Sequence, residues 1–178
     1  GGSFVNNGNL SSGNTFLIDQ NATTVNNNLF TVGDTILVNT NATLQNTSYV
    51  NAPEIWSAGT IINSHDLVGN NLLNTGTVTH SGNGELDLQM SLYNTGTITL
   101  NALTTVCGDI CNAENMTVNY FTSAQSLYNG DTIMGTASFT NNAFVSLSNS
   151  LFNSEDMNGN GDFCIVDSTL NSGTITGT

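Results

Sequence analysis

Asn74-Thr75-Gly76-Thr77-Val78-Thr79 is followed, twenty residues on, by Asn94-Thr95-Gly96-Thr97-Ile98-Thr99. Asn171-Ser172-Gly173-Thr174-Ile175-Thr176 repeats the phrase once more, and Ser57-Ala58-Gly59-Thr60-Ile61-Ile62 is a looser version of it. The steps between the first three starts are 17 and 20 residues, and the 77 residues from Asn94 to Asn171 hold about four further steps. A fainter phrase, Val32-Gly33-Asp34-Thr35-Ile36-Leu37, is echoed at Asn129-Gly130-Asp131-Thr132-Ile133-Met134. Short β-branched runs divided by polar turns at such a period are the mark of stacked repeats. The expected fold is all-β, a parallel β-helix or solenoid with coils of about 17–20 residues. An antiparallel β-sandwich is the alternative, since its strands also recur at short intervals.

In a solenoid the repeated phrase is a corner that must be turned once per coil. Val78, Ile98 and Ile175 then stack inward beside Ile61 or Ile62, and Thr77 and Thr79 stack outward on Thr97 and Thr99. Gly76 and Gly96 give backbone freedom at the corner. Asn74 and Asn94 suit it through their turn preference and through amide ladders. Composition agrees: 30 Asn and 26 Thr favour turns and strands, and helix formers are scarce. One domain over 1–178 is expected, with an irregular insertion or coil around 101–130, where the phrase lapses. The repeats resemble those of secreted bacterial β-solenoid adhesins of the filamentous-haemagglutinin kind, over roughly 57–100 and 171–176. That resemblance implies an extracellular, cell-surface protein.

The chain has no Lys and no Arg against 13 acids, a formal charge of -13. Without cations it has nothing to hold phosphate, so no nucleic-acid partner is expected. No apolar run reaches the roughly 18 residues of a membrane helix, so membrane insertion is not expected either. Trypsin-like proteases find no cleavage site, which suits an exposed, secreted protein. The chain opens on Gly1-Gly2 rather than Met, which implies a removed leader or a piece of a longer chain.

Asp156 to Asp167 reads DMNGNGDFCIVD. Asp156, Asn158 and Asn160 alternate, Gly161 follows, and Asp167 closes the twelve, with Asp162 inside. This is the oxygen spacing of a calcium loop, with Asp for the usual final Glu, so calcium is the candidate cofactor. The alternative is a solvated Asn/Gly turn. Cys107, Cys111 and Cys164 are disulfide candidates; Cys107–Cys111 is nearest in sequence, and Cys164 with either is also open. A zinc site of these three with His80 is the lesser reading, because their spacing is not that of structural zinc. Asn9, Asn21, Asn41, Asn46 and Asn115 are glycosylation candidates by sequon. His65 and His80 read as surface or packed side chains. Glu85 and Asp87 share one strand face, but two carboxylates alone do not make a catalytic pair, and no enzyme is expected.

The expected function is structural: a self-associating subunit of a cell-surface filament or stalk, joined head to tail as a homopolymer. A calcium-assisted adhesin for glycans is the alternative, with Trp56 and Tyr49 as candidate contacts. Ice binding by Thr-x-Thr rungs is a third reading.

Overall fold

The computed structural model describes residues 1–130 and 137–177. The chain winds into a parallel β-solenoid of about nine turns, and every strand pair is parallel and stacked coil on coil, which removes the sandwich alternative. Each coil lays down three short strands, so the cross-section has three faces.

The first face is a ten-stranded sheet. Its strands are Ser3–Asn6, Thr23–Asn26, Thr43–Asn46, Thr60–Asn63, Thr77–His80, Thr97–Leu100, Asn115–Val118, Ser138–Asn141, Asp156–Asn158 and Thr174–Thr176. The second face runs from Leu10–Ser12 through Phe30–Val32 and Val50–Asn51 to Asp162–Ile165; the third runs from Phe16–Ile18 through Thr35–Val38 and Glu54–Ser57 to Thr169–Asn171. In two coils the second and third faces fuse. Leu67–Asn74 and Leu86–Asn94 each run through the corner as one strand, with a register shift between Gly69 and Asn71.

Alternation sets what is buried. Along Thr77–His80 and Thr97–Leu100, Val78 and Ile98 point in and the threonines point out. The inward column continues above and below as Leu44, Ile61, Met116, Phe139 and Met157, all buried. Ile61, not Ile62, is the inward residue, and Ile175 lies in the same column but is half exposed on the outermost described coil. Burying each such side chain contributes about 1.5–3 kcal/mol. With 178 residues and no Lys or Arg, this continuous core and the hydrogen bonds between coils carry the fold.

Two expectations change in detail. Gly76 and Gly96 are needed for room rather than for left-handed backbone: a Cβ on Gly76 would meet the Gly59 carbonyl oxygen at 2.1 Å, and one on Gly96 would meet that of Gly76 at 2.3 Å. Left-handed backbone falls instead on Asn21 and Asn41, at φ 59° and 60°, where asparagine tolerates it. Residues 101–130 are regularly laid: Thr104–Val106, Ile110–Asn112, Asn115–Val118, Thr122–Ala124 and Leu127–Asn129 pair in register with their neighbours. The wording of the repeat lapses there, and the coil does not. The echo at Asn129 falls largely on 131–136, outside the described residues.

Candidate functional site: the corners and the three outer faces

The corner asparagines form two hydrogen-bonded ladders that run from coil to coil. After the first face, Asn6 Nδ2 donates to Asn26 Oδ1 at 2.7 Å, Asn26 to Asn46 at 2.8 Å, and Asn46 to Asn63 at 2.7 Å. Asn63 Nδ2 then meets His80 Nδ1 at 2.9 Å. After the third face a second ladder links Asn74, Asn94, Asn112, Asn129, Asn153 and Asn171 at 2.7–2.8 Å. Each amide also serves its own turn. Asn94 Oδ1 accepts from the Gly96 N–H, and Asn94 Nδ2 faces the Gly96 and Asn115 carbonyls. The side chain thus satisfies backbone groups that the corner would orphan, which explains why these asparagines are buried in every coil but the outermost described one, where Asn171 is exposed.

His80 closes the first ladder. Its Nδ1 receives the Asn63 amide, so Nε2 carries the proton and donates to the Leu103 carbonyl at 3.0 Å. This assignment follows from the donor geometry. Burial pushes the imidazole below its ordinary pKa, against weaker opposing pulls from backbone hydrogen bonds and from Asp66 and Glu85.

The outer faces differ in chemistry. On the first face, threonines at 23, 43, 60, 77 and 97 form one column, and threonines at 79, 99, 117 and 140 form another. The columns overlap as complete Thr-x-Thr rungs in only two adjacent coils, Thr77/Thr79 and Thr97/Thr99. The second face is small and polar, with Thr105, Ser123 and Ser146 in line.

The third face carries one apolar column along its whole length, beside a polar one that holds Glu54, Asn71 and Ser91. Leu17 stacks on Leu37, Leu37 on Trp56, Trp56 on Leu73 and Leu73 on Tyr93. Tyr93 stacks on Cys111, Cys111 on Tyr128, Tyr128 on Phe152 and Phe152 on Leu170. One outward side chain per coil makes a nine-residue stripe, with Trp56 46% and Tyr93 48% exposed. Tyr128 and Phe152 lie ring on ring, centroids 4.7 Å apart and planes at 4°. Beside the stripe run the small corner residues Thr95, Ala113, Gly130 and Ser154, which leave hollows of about 230 Å³ and 190 Å³. The sequence singled out Trp56 but not this alignment. Uneven coil lengths hide it; aligning the coils on the inward residue that ends each third-face strand (Ile18, Val38, Ser57, then Asn74 to Asn171) would reveal it, because the stripe is the residue just before that position in every one of these coils.

The other candidate residues are scattered. Asp156 and Asn158 sit on the first face, Asn160 in the corner turn, Asp162 at the start of the second face and Asp167 beyond it. Gly159, at φ 121°, turns a corner inside the stretch. The calcium-loop spacing is thus stretched over two strands and a further corner, and Asp167 Oδ2 accepts from Ser150 Oγ at 3.4 Å. Among the described residues no three His, Cys, Asp or Glu side chains gather as metal ligands.

The three cysteines are free thiols, which corrects the disulfide expectation. Cys111 lies on a third-face strand between Tyr93 and Tyr128, Cys107 in the corner before it, and Cys164 on the second face. Burial, and then the charge of Asp109, pushes the Cys111 thiol up, so it sits in the stripe as a small apolar group.

Asn46 is wholly buried with its amide inside the ladder, so the expectation of a glycan there fails; Asn9, Asn21, Asn41 and Asn115 are exposed. Glu85 Oε1 accepts from Thr105 Oγ1 at 2.6 Å and Asp87 Oδ1 from Gln89 Nε2 at 3.0 Å, so each carboxylate has a structural partner. Asp87 is pushed up by burial and then by Glu85. Tyr49 is half buried near the corner rather than on the stripe. Comparison with family models, curated proteins and solved structures gives no match.

Proposed function

We propose that this chain is a structural element of an extracellular, cell-surface rod, built by stacking solenoid coils end to end. The observation that carries the reading is the form of the outermost described coils. Inward-facing Phe4 is 43% exposed and Ile175 50% exposed, where their counterparts one or two coils inside are buried. Asn171 brings its ladder to that same edge. The surface that fits such an edge is another coil, with strands at the same spacing and an apolar interior in line. That coil comes from a second copy or from more of the same polypeptide. A heterologous contact of this kind propagates. The cation-free, Asn- and Thr-rich surface supports a setting outside the cell, as does the resemblance to secreted solenoid adhesins.

The test is sedimentation and electron microscopy of the 178-residue chain at rising concentration. Rods or end-to-end oligomers are expected, and Phe4→Lys with Ile175→Lys should abolish them while circular dichroism stays that of a β protein. A folded chain that never forms end-to-end species at any concentration rejects stacking of copies.

A further inference from the structure

We propose that the apolar stripe on the third face is a side-by-side interface between two copies of this chain, separate from any end-to-end contact. The stripe offers one apolar side chain per coil, so its repeat is the strand spacing of about 4.8 Å and its length about 38 Å. A partner that meets it evenly must share that repeat over that distance. A second solenoid does so by construction, and apolar side chains between paired sheets pack as a dry, interdigitated seam. Nine such side chains expose on the order of 600 Å², at the top of the range for the largest apolar patch on a monomer, where such patches are often functional. Flanking Ala58, Ala113 and Gly130 let a neighbour approach and bring each side near the ~800 Å² of a standard interface.

Other occupants fit less well. The backbone of this face is already paired from coil to coil, so it cannot accept an added strand. Tyr128 and Phe152 cover each other's ring faces and present edges, whereas a sugar ring docks on an exposed aromatic face. Against pairing stands the net charge of -13 on each copy, with Glu54 and Asp109 beside the stripe and no Lys or Arg to offset them. Salt screens that repulsion, with a Debye length of about 8 Å at physiological ionic strength. The pairing should therefore tighten as salt rises, the reverse of an interface made by opposite charges.

The experiment uses the full chain with Phe4→Lys and Ile175→Lys, so that end-to-end stacking cannot contribute. Sedimentation is expected to show a dimer whose dissociation constant falls severalfold between 0.05 and 0.5 M sodium chloride (~0.05 and ~0.5 M bracket the screening range). Tyr93→Glu should give a monomer with unchanged circular dichroism. Tyr93 is the midpoint of the stripe, so it faces itself whichever way two fully overlapped copies run. With Cys107→Ser, Cys111→Ser and Cys164→Ser in place, Tyr93→Cys should therefore oxidise to a linked dimer. Thr79→Cys, on the first face, should not. A monomer at every salt, a dimer indifferent to Tyr93→Glu, or equal linking through Thr79→Cys overturns the proposal. So does a monomer whose stripe binds cellohexaose and loses it with Tyr93→Glu, since that assigns the stripe to a glycan. None of these outcomes bears on the end-to-end reading, which the unblocked chain tests separately.

Discussion

The two corner columns differ along the solenoid in where they bury amides. After the first face the corner column reads Asn6, Asn26, Asn46, Asn63 and His80, turns apolar at Leu100 and Val118, and returns to a buried amide at Asn141. After the third face it reads Ile18, Val38 and Ser57, then turns polar from Asn74 to Asn171. Both columns are amide in the coil that holds Asn63 and Asn74, and again in the coil that holds Asn141 and Asn153. The handover shows how a buried polar column can begin and end. His80 finishes one ladder with both ring nitrogens used, whereas Ser57, directly under the start of the other, has a buried hydroxyl without a partner among the described residues. On the solvent side of the first corner exposed amides also pair from coil to coil, Asn27 with Asn7 and then Asn119 with Asn101 and Asn142 with Asn119, each at 2.8 Å. A buried amide is held by neighbours above and below and by its own turn, and an exposed one competes with water.

The sharpest way to break this comparison is Asn94→Leu. It removes ladder bonds on both sides and orphans the Gly96 N–H, so unfolding in urea should show a loss of about 3 kcal/mol or more. A loss under about 1 kcal/mol would mean the ladder is not a stabilising device.

Next comes acid. The folded-state pKa of His80 is depressed, so the folded protein favours the neutral ring and the unfolded chain binds the proton first. Its contribution is fully present above the ordinary 6.5 and is lost as pH falls through the folded-state value. Melting temperature should therefore drop on acidification from 6.5 downward, more steeply than in His80→Asn; identical pH profiles would refute the terminator role.

Ser57→Ala should raise stability by about 1 kcal/mol, because it deletes an unpaired buried hydroxyl. If it destabilises instead, that hydroxyl has a partner that the ladder picture omits. Asn119→Ala, in the exposed ladder, should change stability by no more than about 0.5 kcal/mol.

Much of the fold was legible because the repeat is written in residues with narrow backbone preferences. The Thr-β-branched-Thr phrase gave the strand and its inward residue, and Val78 and Ile98 lie where it put them. The legibility stopped where a residue type has two uses. Asn41 and Asn46 both stand in sequons, yet one turns an exposed left-handed corner and the other is locked inside a ladder. The Asp156–Asp167 spacing matched a ligand loop because spacing is blind to whether the chain curls round a point or crosses a corner. Cys107 and Cys111 are close in sequence but belong to a corner and a strand.

By itself the sequence determined that this chain has no Lys or Arg, is all-β and repeats with a period near twenty residues, because composition and local propensity act within a few residues of each position. Only the tertiary structure decided which asparagines are buried and that nine apolar side chains, 17 to 24 residues apart in the chain, form one continuous stripe. Those facts depend on the register between coils of unequal length, and register is fixed by long-range packing of the shared core rather than by any local stretch.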